Sequence, residues 1–495
     1  MLLSMRALYC LSFPVMAGCQ GLRMFMVQTT SKRRFAVFGV VALALLVSTM
    51  NLTVAFVVLP QMREGLNASL TWVGWTITAY QLTQAVSMSL AGKVSDQLGR
   101  RRTFMVSLAI FSLGSLGAAL APNVSTHVLL RMVAALGGGA IMPVAAAIVS
   151  LEFPKERAKA LGLFTSIMPI GWILGPTVGG LIADEVSWRA AFLMPLPFAA
   201  LAIVGSAFLI RESSERKNAN LDLRGAALLT AAIASFMLAL SLFRVDAGTA
   251  TAAAWALLLA SAPIAWLFWR HEAHTEDAIV DPALLRLRPF VAANIYNVIW
   301  GAASIGSSAF IPFYAMVQFG FESSRAGAVL IGLEVALIVG STVTSLFLLR
   351  RVGYRPLLFA GGVVMSGALL AVGVGLFDVL PDSISPFWAL FGVLAVAGLG
   401  MGVQAPASNN AGIELMPSHI SSIVGLRGMF RFAGSVIATT LIFFLLSGSE
   451  DTARGVEIVY LGLAVLMFAA APIIMLMPTG RERRIDQQAE PYPTP

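Results

Sequence analysis

Charge is what this chain has least of. Asp, Glu, Lys and Arg make up 12% of its 495 residues, against the quarter or so that a soluble domain carries. Too few charges remain to cover a water-facing surface, so a soluble globule is excluded. With 58% hydrophobic residues and a mean hydropathy of +0.83, the chain is expected to be an integral membrane protein. Cysteine is nearly absent. Cys10 and Cys19 both lie near the start of the chain, which excludes a disulfide framework. None of the five lysines sits in a G-x-x-x-x-G-K-S/T phosphate loop. No ATPase is visible, and energy must come from a gradient. Histidines number four. The one close pair, His271 and His274, is one residue short of the i, i+4 zinc-protease spacing and reads as part of a solvated loop. No cofactor, metal or enzymatic activity is expected.

What is present in abundance is long apolar runs. Stretches of about twenty residues suffice to cross ~30 Å of hydrocarbon. They fall at 35–60, 73–92, 103–121, 126–151, 161–183, 189–210, 223–243, 251–269, 290–317, 326–348, 356–378, 386–409, 420–447 and 456–478, which predicts fourteen helices. The net charge of +8 and pI near 9.9 would suit nucleic acid, but the placement of the charges does not. Of 33 Lys and Arg, 25 lie in segments on the side of residues 92–103, five on the opposite side and three within spans. That is the positive-inside bias. It puts both termini in the cytoplasm and excludes nucleic acid as a partner.

A repeat organises the helices. Leu98-Gly99-Arg100-Arg101 has an echo in Val352-Gly353-Tyr354-Arg355, 254 residues on. A second copy of a unit spanning 35–210 would then begin near 289, where the ninth run begins. We expect an N-terminal extension at 1–34, a six-helix bundle at 35–210 and a linker with two inserted helices at 211–289. A second bundle at 290–478 and a cytoplasmic tail at 479–495 complete the chain. Met16-Ala17-Gly18-Cys19 loosely resembles a lipoprotein cleavage box, yet Lys32, Arg33 and Arg34 require the next span to start inside. Met24 or Met26 is read as the true start.

Two motifs carry a resemblance. Residues 92–103 read Gly-Lys-Val-Ser-Asp-Gln-Leu-Gly-Arg-Arg-Arg-Thr, where Gly92 and Gly99 permit a tight turn and Asp96 is the one acid. The pattern resembles the loop signature G-x-x-x-D-x-x-G-R-R/K-R/K of the major facilitator superfamily. In the fifth run, Gly171, Gly175 and Gly179 recur every fourth residue and share one face, and Pro176 removes a helix hydrogen bond. With Gly180 they resemble the G-x-x-x-G-P-x-x-G-G signature of the family's antiporters. Six plus two plus six helices resembles its fourteen-helix drug:proton antiporter branch. The resemblance implies an all-α integral membrane fold, two six-helix bundles plus two inserted helices, rocking about a site near the midplane. It also implies that the loop of Gly92, Asp96, Gly99, Arg100 and Arg101 gates by packing against the other half.

Ionisable groups inside spans are costly and mark function. Glu334 sits about eight residues into the tenth run, near the midplane, and is the deepest acid. Burial disfavours the charged form of a carboxyl, which suits a group that loads and releases protons. A neutral hydrogen-bonded role, or an ion pair with an arginine of the thirteenth run, is the alternative. Arg131 opens a pattern similar to the family's R-x-x-Q-G-x-G, with Ala134 and Ala135 replacing Gln and Gly. There the arginine is linked to the proton pathway; snorkelling to the interface is its plainer reading. The family commonly has an acid where this chain has Asn51, and an amide cannot carry a proton at accessible pH. Arg427 and Arg431 are i, i+4 on the thirteenth run. Arg431-Phe-Ala-Gly434 resembles the family's R-x-x-G, whereas Arg427 looks particular to this chain. Three arginines against one glutamate disfavour a strictly cationic substrate and leave room for an anionic or zwitterionic one. Asn51, Tyr80, Gln81, Gln84, Asn294, Asn297 and Gln404 complete the expected cavity groups, each with helix–helix hydrogen bonding as the alternative.

The expectation is a monomeric exporter of small amphipathic molecules in a bacterial cytoplasmic membrane. It would exchange a small-molecule substrate for protons, with the lipid bilayer as its solvent. A nutrient symporter of the same fold and a transport-inactive membrane sensor are the rivals.

Overall fold

A computed structural model describes residues 13–154, 156, 160–161, 163–164, 166–212, 222–243, 248–275, 287–378, 381, 383–414, 420–447 and 452–479. Among the described residues the regular structure is helical throughout, without strands. This is what lipid requires of a chain that must satisfy its own backbone polar groups.

The helices of the first half are α1 (Phe13–Val54), α2 (Leu70–Leu98), α3 (Arg100–Leu120), α4 (Val124–Glu152) and α5 (Ile167–Glu185), then α6 (Trp188–Leu209), interrupted at Met194 and Pro195. Next come α7 (Leu223–Leu242) and α8 (Gly248–Glu272). The second half comprises α9 (Arg288–Phe319), α10 (Ser323–Leu348), α11 (Tyr354–Gly373), α12 (Pro386–Glu414), α13 (Ile420–Ser447) and α14 (Thr452–Ala469). Each expected span overlaps one of these helices. Among the described residues, eleven helices are long and apolar enough to cross a membrane, the first over Lys32–Val54. Three expected spans, α2, α7 and α13, are not among those eleven.

Packing groups α1 to α6 together and α9 to α14 together. The groups meet along two seams, α2 against α13 and α5 against α10. The hairpin of α7 and α8 lies against α2 and α13. Two π turns, Ala302–Gly306 in α9 and Thr344–Leu348 in α10, break the α-helical register, a deformation that recurs at functional sites.

The expected 92–103 hinge is mostly helix. Gly92 lies inside α2, and Gly99 alone separates α2 from α3, with φ of +89°. Its echo behaves alike: Gly353 alone separates Val352 from Tyr354, with φ of +87°. Only glycine takes such a backbone without strain, which explains why this residue survives in an otherwise degraded repeat. Glu212 accepts hydrogen bonds from Arg101 N (3.1 Å) and Arg102 N (3.3 Å), satisfying the bare first turn of α3. The Asp96 side chain lies outside the described residues.

The expected solvated loop at His271 is likewise a helix end. His271 and Glu272 belong to the last turn of α8. His271 Nε2 sits 2.7 Å from Asp222 Oδ1, at the foot of α7, and Glu272 is buried. This hydrogen bond ties the two feet of the inserted hairpin together.

Candidate functional site

The two ends of the bundle differ. One holds Gly99, the Arg33–Glu152 ion pair (3.2 Å) and the foot of α6, where Arg33 Nη2 donates to Leu209 O (3.0 Å). At the opposite end the halves are joined. Gln61 Nε2 donates to Asp184 Oδ1 (3.0 Å) and Ser323 Oγ (3.1 Å), and Ser324 N donates to Asp184 Oδ2 (2.9 Å). Asp184 thus caps the start of α10 from the end of α5, across the seam. Below it, a Cβ on Gly180 would lie 2.9 Å from Ser323 O, and one on Gly327 2.6 Å from Pro176 O.

The glycine face of α5 does not make that contact. Cβ atoms on Gly171, Gly175 and Gly179 would lie 1.9 Å from Thr49, 2.1 Å from Thr53 and 2.3 Å from Val54. The groove receives α1 of the same half, and Pro176 and Gly180 face the other half.

Glu334 faces a small cavity between the halves. Its lining draws on Leu52, Thr53, Phe56 and Trp172 from one half and Ser304, Ser308 and Met401 from the other. The cavity measures about 20 Å³, room for a single water. Glu334 is 3% exposed, and its Oε2, like Trp172 Nε1, is buried without a hydrogen-bond partner. Among the described residues no basic group pairs with it, so the alternative of an ion pair with α13 is not realised. An uncompensated buried carboxylate is costly when charged. Its free Oε2 leaves a place for a water or hydroxyl hydrogen bond in the cavity.

Arg131 is fully buried and does not snorkel. Its Nη1 donates to Asn51 Oδ1 and to Asn51 O (3.2 Å). The guanidinium lies over the rings of Tyr80 (4.0 Å) and Phe192 (5.1 Å). Asn51 Nδ2 donates in turn to Ser115 Oγ (3.0 Å), linking α1, α3 and α4. This arginine is held by an amide and two ring faces where a carboxylate would give a charge pair.

In the second half, Arg427 Nη2 donates to Ser408 Oγ (2.7 Å) and Arg431 Nη2 to Asn409 Oδ1 (3.2 Å). Asn297 Nδ2 donates to Arg427 O. Tyr296 OH donates to Gln404 Oε1 (2.9 Å), and Asn294 Nδ2 returns to Phe290 O of its own helix (2.9 Å). Gln81 Oε1 accepts from Ser435 Oγ across the α2–α13 seam (3.1 Å). Gln84 is buried and its Oε1 has no partner. Glu334, Arg131 with Asn51, and the α13 arginines are therefore three separate sites, not one constellation. Sequence reasoning missed Thr53, Trp172, Ser304 and Ser408. Hydroxyl and indole groups inside apolar runs carry no signal until packing shows which ones converge.

The sequence model described as Major Facilitator Superfamily matches residues 41–439. Among curated proteins, this chain is 26% identical over 420 residues to Multidrug resistance protein 3 of Bacillus subtilis, covering 83% of this chain and 80% of the relative. It is 27% identical over 434 residues to the Methylenomycin A resistance protein of Streptomyces coelicolor (86% and 89% covered). It is 30% identical over 405 residues to the uncharacterized MFS-type transporter EfpA of Mycobacterium tuberculosis (81% and 73% covered). Among solved structures, a D-xylose-proton symporter superposes with a TM-score of 0.66 at 14% identity, over 90% of this chain and 98% of that one. At that identity the likeness concerns the fold.

Proposed function

This chain belongs to the major facilitator superfamily and is a multi-pass membrane transporter, not an enzyme, and from that premise we propose that it exports small amphipathic compounds in exchange for protons. The observation that carries the coupling is Glu334. Its carboxyl lies in a cavity built from both halves, so its protonation is felt at the surface that rearranges when the halves rock. An ionised acid at this depth costs ~2.5–3.5 kcal/mol on insertion scales. A proton taken from outside relieves that cost and favours the closed cavity, and release to the cytoplasm restores it. Arg131 serves as a fixed charge in the first half. The names of the bacterial relatives, multidrug and methylenomycin resistance, support export and a bacterial cytoplasmic membrane. The positive-inside bias supports cytoplasmic termini, and the joined end at Asp184 then faces outward. A cavity completed by one chain supports a monomeric unit.

Everted vesicles test the reading. Proton-driven uptake of a lipophilic dye is expected, and lost in Glu334→Gln. Uptake confined to right-side-out vesicles would identify a symporter, and uptake in neither orientation a sensor. Glu334→Gln transport with unchanged proton dependence would remove the coupling role.

A further inference from the structure

We propose that Arg427 and Arg431 on α13 bind the carboxylate of an amphipathic organic anion; this rests on the transporter reading and names its substrate class. The two guanidinium groups lie one helical turn apart, so they repel one another. Among the described residues no acid pairs with either. The neutral groups that touch them use only part of their capacity. Ser408 Oγ accepts from Arg427 Nη2 (2.7 Å) and Asn409 Oδ1 from Arg431 Nη2 (3.2 Å). Arg427 Nη1 and Arg431 Nε remain buried with no partner, although a guanidinium carries five donors.

The surroundings fix these donors rather than neutralise them. Trp300 lies 4.7 Å from the Arg431 guanidinium carbon, supporting one face of the fork and leaving its edge free. Asn297 anchors the backbone of Arg427. Ser408 and Asn409 are consecutive on α12, so a single turn orients both cations. Arg427 is 4% exposed, whereas Arg431 and Asn409 are only partly buried, which gives a ligand a way in. A carboxylate matches the geometry of a guanidinium fork and would remove both the mutual repulsion and the orphan donors. Arg131 also keeps two buried donors without a partner, Nε and Nη2, but it has no second arginine one turn away and is fully buried between Asn51, Tyr80 and Phe192, with no way in for a ligand. Glu334 faces its own small cavity and pairs with neither α13 arginine. Export of an anion also runs with a membrane potential that is negative inside.

The test is binding by the full-length chain in phosphatidylcholine nanodiscs, comparing 2-naphthoate with 2-naphthamide, which shares its ring and lacks its charge. Naphthoate is expected to bind about ten- to hundredfold more tightly, the range of charge-assisted hydrogen bonds. In Arg427→Gln and in Arg431→Gln that ratio is expected to fall towards one, and Arg427→Lys, which keeps charge but not the fork, to fall between. Equal binding of the two probes by the unmodified chain overturns the proposal, as does a ratio that survives both Gln substitutions. The first comparison needs no variant and stands if the variants do not fold. Loss of the naphthoate preference in phosphatidylglycerol nanodiscs would assign the site to a lipid headgroup and also overturn it. Because no gradient is applied, failure of dye export in vesicles and failure of naphthoate binding are separate results.

Discussion

At the scale of single residues, the three charged sites differ in what neutralises them, and that difference can be tested. Asn51 meets Arg131 through its side-chain oxygen and its carbonyl, so Asn51→Asp places a carboxylate where the amide oxygen already lies. Hydrogen bonds between ionised partners contribute ~1.5–3 kcal/mol, and the guanidinium is already desolvated. The variant is expected to raise the unfolding temperature in detergent, and Asn51→Ala to lower it by orphaning Arg131 Nη1. Equal shifts of the two would show that Arg131 does not depend on this partner. Much here was legible beforehand: Glu334, Arg131, Asn51 and the α13 arginines stand out as polar groups within apolar runs. Their partners were not. Nothing in the spacing of Ser115, Ser408 or Trp300 announces that they will touch Asn51, Arg427 and Arg431, because each of those contacts joins two different helices.

At the scale of helices, the α5 glycines were legible as a face but not as a contact. A period of four fixes which residues share a side, whereas the occupant depends on how α1 packs. A Cβ on Gly175 would lie 2.1 Å from Thr53 Oγ1 and 2.8 Å from Met50 O, and the backbone atom cannot move aside. Gly175→Ala is expected to cost ~1–3 kcal/mol through overpacking and to reduce transport by wedging α1 from α5. Gly39→Ala is its control. It sits mid-helix on α1 with nothing within 4 Å of the added atom, so helix propensity alone predicts a gain of ~0.5–1 kcal/mol. Thermal unfolding of both in one detergent checks the pair; a harmless Gly175→Ala would mean that the α1–α5 approach is looser than described. The same limit applied to residues 92–103. Two glycines mark a turn, but only backbone geometry shows that Gly92 continues the helix and Gly99 makes the turn alone.

At the scale of the whole molecule, hydropathy and charge bias gave the helix positions because lipid punishes polar backbone uniformly along a span. They could not indicate which end is shut, since alternating access uses two packings of one sequence that differ by a few kcal/mol. The contacts supply that answer. Asp184 joins Gln61 of its own half to Ser324 of the other, with Ser323 bonded to the same amide. These bonds are largely exposed, so together they are worth ~1–3 kcal/mol, enough to shift a two-state balance ~5–150-fold. Asp184→Asn keeps the size of the side chain but weakens acceptance from Ser324 N. Asp184→Ala removes the cap altogether. Spin labels at Val186 and Glu322, on either side of this seam, should report one short distance in the unmodified chain. Asp184→Ala is expected to add a longer one, with Asp184→Asn between. Because opening this end must accompany closure around the other, the same variants should raise dye release to the outer face where release limits turnover. A distance distribution unchanged in Asp184→Ala would place the latch elsewhere, and the packing of Pro176 and Gly180 against Gly327 and Ser323 would then hold the end closed by itself.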